Sequence, residues 1–430
     1  MTSRRRHGTL FYTAVAVFIT ASLLAAQPAL AQQNISFRSF SDWAAIGPPA
    51  DEYAAKLSAL SAVTLGKNGQ VNFTRYKPTP PIPKEFKNVV AAVSAGGPLA
   101  GGTGFDAAYV SGGELNPVWG FIYNSGVPFG PSFDEFMGFL YGKSVDDGAS
   151  TGLDLLQQIL DKSGKNVVAL PIVASSQQGS GYFLLPVGNA GSTPGIGLAG
   201  LCQQNWTFRY LPPAQYVIDR ACDNLVASGT IPKKNIRFIQ AISGNASLVK
   251  AVADGQIQAY EMATPLDDFT ELFGRPEGNP GTVGTRFLHF PGWHQPFLIT
   301  YMIVNKKVWN MLGPGQQALA MSVARDNLVS SYGENLRQQG AKLKQILTAN
   351  DADTNPANNM VLVQWPESDL AMLRDATGQF LKARASDAAL SEQDRADYAK
   401  ILESLGIYVN ANSGYWKVRE VPSALRFTGW

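Results

Sequence analysis

Histidine is nearly absent from this chain. There are three in 430 residues, and one of them, His7, lies in a stretch expected to be removed. The two that stay, His289 and His294, are five apart. That spacing puts them on opposite faces of a strand, or about 140° apart around a helix, so a shared zinc is not expected. No GxSxG elbow or HExxH helix occurs, and neither of the two cysteines sits in a nucleophile motif. A glycosidase, which needs two carboxylates roughly 5 to 10 Å apart on separate elements, is the hydrolase class left open. Charge is also sparse, at 16% of residues with a formal net of +2. Removing the three arginines of the leader leaves Asp+Glu at 33 and the balance slightly negative. Such a chain has no basic field for nucleic acid or anionic lipid. Past the leader, no apolar run approaches bilayer length.

Arg4, Arg5 and Arg6 precede an apolar run from Leu10 to Ala26 and then Ala29-Leu30-Ala31, a small-x-small cleavage site. The pattern is that of an exported chain cleaved near Ala31, with a periplasmic product. A single-pass anchor is the competing reading, weakened by Gln27-Pro28 at the end of the run. In an exported chain, Cys202 and Cys222 permit one disulfide closing a loop of about twenty residues, a crosslink that would contribute ~3 kcal/mol. Two buried thiols are the alternative. The remaining chain of about 400 residues exceeds what one core supports, so two lobes are expected.

Strand-like and helix-like segments alternate: strands at 71–76, 105–110 and 166–174, helices at 84–94, 134–141 and 154–160. Mixed elements in this order indicate an α/β fold with sheets covered on both faces. From Pro314 the pattern turns helical, with Met321, Leu328, Tyr332, Leu336, Leu343 and Leu347 recurring at four- or seven-residue spacing. Some thirty residues of helix would span roughly 50 Å, enough to traverse both lobes. Further helices are expected around Leu370 to Leu381 and from Ser391 to near Gly406, with a loop over Asn350 to Asn359. Gly195, Gly197 and Gly200 form a literal GxGxxG, but a Gly/Ser/Pro loop precedes them and a strand-like segment follows. No nucleotide is therefore expected. The acidic pairs Asp146-Asp147 and Asp267-Asp268 read as caps or solvated turns.

Several segments in a fixed order resemble the substrate-binding proteins of tripartite ATP-independent periplasmic (TRAP) transporters, in particular their 2-oxo-acid-binding branch. They are Gly126-Val127-Pro128-Phe129-Gly130, the turn Ser176 to Phe183, Trp206-Thr207-Phe208-Arg209, Ala246 to Asp268, and Phe287 to Trp309 with its Pro291-Gly292-Trp293 corner. The resemblance implies a type II periplasmic-binding-protein architecture, two lobes around a cleft with a long crossing helix and C-terminal helices. On this basis lobe I is expected over 32–170 and 262–305, and lobe II over 171–261 and 306–347 with the crossing helix. The C-terminal helices, 360–410, would pack across the lobes or mediate a homodimer of an otherwise monomeric chain.

The resemblance further implies a receptor, not an enzyme, that delivers a small organic acid, a 2-oxo or 2-hydroxy carboxylate, to integral-membrane permease subunits. A secreted hydrolase or a sensory receptor on the same scaffold is the alternative. Arg209 is the candidate to grip the ligand carboxylate through two parallel charge-assisted bonds, with a structural salt bridge as the competing role. Gln178, Glu261 and the main-chain carbonyl of Met262 are the candidate metal ligands beside the substrate. Their oxygens suit Na+ or Ca2+. Glu261 has pairing with an arginine as its competing role, and Met262 stands where the branch usually has tryptophan. Trp293, Trp206 and Tyr109 are candidate pocket walls, each with core packing as the competing role.

Overall fold

The structure, a computed structural model, describes residues 32–39, 47–143, 150–190, 193–239, 245–268, 286–348 and 360–419. The leader, the Asp146-Asp147 pair and the loop at 350–359 lie outside the described residues.

Two sheets organise the chain. The first has the order β2 (Val71–Arg75), β1 (Gln33–Ser39), β3 (Ala107–Ser111), β10 (Leu298–Asn305) and β4 (Val167–Ser175). β1 pairs in parallel with β2 and β3, and β10 runs antiparallel between β3 and β4. β4 reads VVALPIVAS and is buried along nearly its whole length. Leu170, Ile172 and Val173 pack on a cluster around Tyr53 and Ala324, while Val167, Ala169 and Ala174 pack with Phe136 and Leu156 on the other. This is how a strand covered on both faces must read. Its Pro171 is tolerated because β4 ends the sheet, where one missing N–H costs no ladder bond.

The second sheet has the order β11 (Met360–Gln364), β9 (Arg286–Phe290), β5 (Gly181–Phe183), β8 (Ala259–Tyr260), β6 (Thr207–Arg209) and β7 (Arg237–Phe238). Against it pack the helices Gly197–Gln203, Ala214–Ala227 and Glu367–Ala385. Cys202 and Cys222 form a disulfide that ties the first two of these helices together.

The lobe boundaries differ from those expected. Residues 171–175 complete β4 in the first sheet, and β9 belongs to the second. A short strand, β11, opens the C-terminal region that was expected to be helical. The chain therefore crosses between sheets at 176–180 and at 291–297, two short segments with no periodicity by which a crossing could be read. A third link is the helix Pro314–Thr348, whose Ala320, Val323 and Ala324 pack in the first lobe and whose Ile346 packs in the second. The fourth is the C-terminal pair. Leu373, Ala376 and Phe380 of Glu367–Ala385 join the second-lobe core, whereas Tyr398, Ile401 and Leu405 of the following helix, Glu392–Arg419, join the first. That last helix runs through Gly406 instead of ending near it.

Candidate ligand site between the lobes

The two short crossings touch each other, and the candidate residues sit where they meet. Gly292 lies so close to the crossing at 176–180 that a Cβ on it would fall 1.9 Å from the Gln178 carbonyl oxygen, which excludes any other residue there. From the same crossing, Gln178 points its amide nitrogen to within 2.7 Å of His294 Nε2, 3.0 Å of Gln295 Oε1 and 3.3 Å of Glu261 Oε2. Upstream, Ser176 is fixed by its N–H and hydroxyl, which both donate to Asn335 Oδ1 on the long helix, at 2.8 and 2.9 Å.

Arg209 ends β6 and Glu261 follows β8, and these strands pair in parallel with Arg209 opposite Tyr260. The register puts the two side chains within reach. Arg209 Nη1 donates to Glu261 Oε1 at 3.0 Å and to the Glu261 carbonyl at 2.8 Å, and the Leu211 N–H donates to the same Oε1 at 3.1 Å. Arg209 Nε is buried and has no hydrogen-bond partner among the described residues. Glu261 is 2% exposed. Burial raises its pKa, while Arg209, the Leu211 N–H and Gln178 act to lower it. The salt-bridge reading of Arg209 is thus realised, yet it occupies only one end of the guanidinium.

Glu261 lines a cavity of about 260 Å³ between the lobes, and Arg209, Gln178 and Met262 stand behind that wall. Glu261, His294 and Gln295 form one part of its wall; Asn116, Phe121 and Asn124 come from the first lobe, and Leu211, Tyr216 and Phe380 from the second. Of these lining residues the sequence reading named Glu261 as a candidate; the others come from elements far apart in the chain.

The aromatic candidates are placed differently. Trp293 is 3% exposed and stacks on Phe129 at 5.5 Å, and the Phe129 N–H donates to the Trp293 carbonyl. The Gly126–Gly130 corner and the Pro291–Trp293 corner therefore buttress one another behind the site. Tyr109 and Trp206, expected at the pocket wall, are packed in the cores of the first and second lobes, and neither lines the cavity. The Tyr109 hydroxyl is used by Thr300 Oγ1 at 2.7 Å. Met262 packs its side chain against the cluster of Leu248, Tyr260 and Ile346.

The expected metal ligands can be tested on the donor set. Among the described residues nothing donates a hydrogen bond to the Met262 carbonyl, and Glu261 Oε2 receives only the long bond from Gln178. One carboxylate, one carbonyl and one amide oxygen are hard donors, so the residues fit Na+ or Ca2+. They do so once the Gln178 amide turns its oxygen inward. Among the described residues no group of three His, Cys, Asp or Glu side chains could hold a metal.

The sequence decoys resolve structurally. His289 is fully buried, accepts the Val187 N–H at Nε2, and has Nδ1 2.8 Å from the Phe287 carbonyl. Burial pushes its pKa down to about 4, and that of His294 to about 3. Gly197 does open a short helix, contrary to expectation, but a loop and not a strand leads into it, and the Asp369 carboxylate already takes the Leu198 N–H.

No family model and no curated protein matches the sequence. Solved structures do match the fold. A TRAP periplasmic solute-binding protein from Colwellia psychrerythraea, with bound calcium and pyruvate, is similar with a TM-score of 0.63 and 16% identity, covering 91% of this chain and 97% of that one. The fold is that of the TRAP periplasmic solute-binding proteins. A TRAP solute-binding protein from Bordetella bronchiseptica, with calcium and picolinate, matches at TM-score 0.63 and 16% identity over 91% of this chain and 95% of its own. One from Pseudoalteromonas atlantica, with sodium and pyruvate, matches at 0.61 and 15% over 91% and 97%. The motifs that carry the sequence resemblance meet in this fold near one place, the junction of the two crossings.

Proposed function

We propose that this chain is an exported receptor that captures a small organic carboxylate between its lobes and presents it to the membrane permease subunits of a TRAP-type secondary transporter. The observation that carries the reading is Arg209. Its guanidinium is anchored through Nη1 alone to Glu261, which lines an inter-lobe cavity, and its buried Nε is left without a partner among the described residues. A buried donor left unpaired is costly, and a ligand carboxylate is the acceptor that a guanidinium edge matches best. Glu261 holds the guanidinium plane in place before the ligand arrives, so little side-chain entropy is lost on binding.

The positive charge of Arg209 is already balanced by Glu261, so a carboxylate entering the site adds an uncompensated negative charge. A sodium or calcium ion held by Glu261, Gln178 and the Met262 carbonyl would supply the missing positive charge, as the bound ions named with pyruvate and picolinate in the similar structures suggest. Lobe closure about the crossings 176–180 and 291–297 then removes water, and the closed form is what a permease distinguishes. The residues assembled here bind and orient. No residue pair in the site has the activated-nucleophile arrangement a hydrolase needs.

The test is a thermal-shift panel of small 2-oxo and 2-hydroxy acids, with and without calcium chloride or sodium chloride. A ligand that binds only the folded state, at a hundred times its Kd, stabilises by about 2.7 kcal/mol. At least one 2-oxo acid is expected to raise the melting temperature, more so with one of the two ions. No shift with any carboxylate under either salt would refute the reading.

A further inference from the structure

We propose that the cavity is built for a carboxylate bearing an aromatic or similarly sized apolar tail, not for a three-carbon acid alone. The inference rests on the reading of the site as a carboxylate receptor and specifies its ligand class. Size is the first argument. An apolar cavity of about 150 Å³ accepts a benzene ring, and this one measures about 260 Å³, which leaves room for a ring and a polar head.

The second argument is how the wall is divided. Glu261, itself held by Arg209, supplies a polar part with His294 and Gln295, and Ser111, Asn116, Asn124 and Ser125 supply another from the first lobe. Phe121, Tyr216 and Phe380 supply an aromatic part from three separate helices. Tyr216 and Phe380 stack with ring centroids 5.6 Å apart and planes 10° apart, and Phe121 meets Phe380 at 6.1 Å. Tyr216 is nonetheless 41% exposed, an uncovered aromatic face at the edge of a site. Phe121 belongs to the first lobe and the Tyr216–Phe380 stack to the second, so an apolar tail in the cavity would lie against rings from both lobes.

The third argument is that this part of the cavity is held in shape across the lobes. Arg384, one turn beyond Phe380, lines the cavity and donates Nε to the Val118 carbonyl at 3.0 Å and Nη2 to the Pro117 carbonyl at 3.2 Å. Both acceptors lie on the first-lobe segment just before Phe121. The rim at the aromatic end is thus set by named contacts, as expected of a pocket that selects a tail.

The experiment is calorimetric titration of the purified protein, in calcium-containing buffer, with pyruvate and with phenylpyruvate. These acids share the oxo-carboxylate head and differ in the ring. Phenylpyruvate is expected to bind at least about tenfold more tightly, the gain from burying a ring. Tyr216→Ala, at an exposed position that leaves the core filled, and the conservative Phe380→Leu should each shrink the ratio of the two Kd values several-fold. Pyruvate binding as tightly as phenylpyruvate, or a preference unchanged in both variants, would overturn the inference while leaving the carboxylate receptor intact. Binding of neither acid, together with no response in the carboxylate panel, would remove both.

Discussion

Burial works on three acidic side chains near the crossings, and each is answered differently. Glu261 has an arginine; Asp267 accepts the Thr264 hydroxyl; Asp268 accepts the Tyr182 hydroxyl and the Ala263 N–H. Burial, above all, raises the Asp268 pKa from the ordinary carboxylate value to about 8, with Asp267 and Glu261 adding to the rise. In the window between those two values the folded protein keeps a proton that the unfolded chain has released. Stability from this group is therefore complete below the window and falls as pH rises through it. Asp268→Asn, neutral and similar in shape, should flatten that fall. Melting temperatures of wild type and variant measured from pH 5 to pH 8 should diverge, with the variant losing less. Parallel profiles would show that Asp268 does not hold the proton. At this scale the meeting of Arg209, Gln178 and Glu261 was legible because their motifs mark them. Tyr109 and Trp206 were misplaced because a strand residue's choice between core and cleft depends on which face a distant element covers.

The helix Pro314–Thr348 buries most of its expected stripe, with Leu328 fully buried and Tyr332, Leu343 and Leu347 packed on the cores, but not all of it. Met321 is 51% exposed and Leu336 53%. Short polar residues at four-residue spacing are turned inward beside the packed leucines. Asn327 donates to the Pro49 and Ile172 carbonyls, Ser331 accepts the Ala174 N–H, Asn335 serves Ser176, and Gln339 accepts the Leu266 N–H. The helix runs along the edge strand β4 and the crossing that follows it, where backbone groups have no neighbouring strand and must be satisfied by side chains. Helix length and its traverse of both lobes were readable from periodicity. The apolar part of its buried face was readable too, and the polar part was not, since an apolar-stripe reading gives no weight to asparagine and serine. Asn335→Ala should strand the Ser176 N–H and hydroxyl next to Gln178, costing about 1–3 kcal/mol. Urea unfolding reads the loss, and a cost near zero would show that other groups can fix the crossing.

For the whole molecule, two lobes followed from chain length, but their boundaries could not be read, because a crossing of five or so residues looks like any loop. The consequence is functional. Of the residues proposed to hold the ligand, Gln178 lies on the crossing 176–180 and meets Glu261 and His294, so on that proposal occupancy and lobe angle would be linked. The C-terminal helices, one on each lobe, span the same gap from the other side. The central claim is that an inter-lobe carboxylate is held by the Arg209 fork while Glu261 keeps that fork in place. Arg209→Ala would leave Glu261 buried and unpaired, a destabilisation that confuses the result. Arg209→Lys keeps the charge opposite Glu261 and removes only the planar fork. The decisive measurement is calorimetric titration of wild type and Arg209→Lys with the tightest 2-oxo acid of the panel. The account predicts an affinity loss of at least about tenfold, with the melting temperature of the unliganded variant close to wild type. An unchanged Kd in the variant would contradict it.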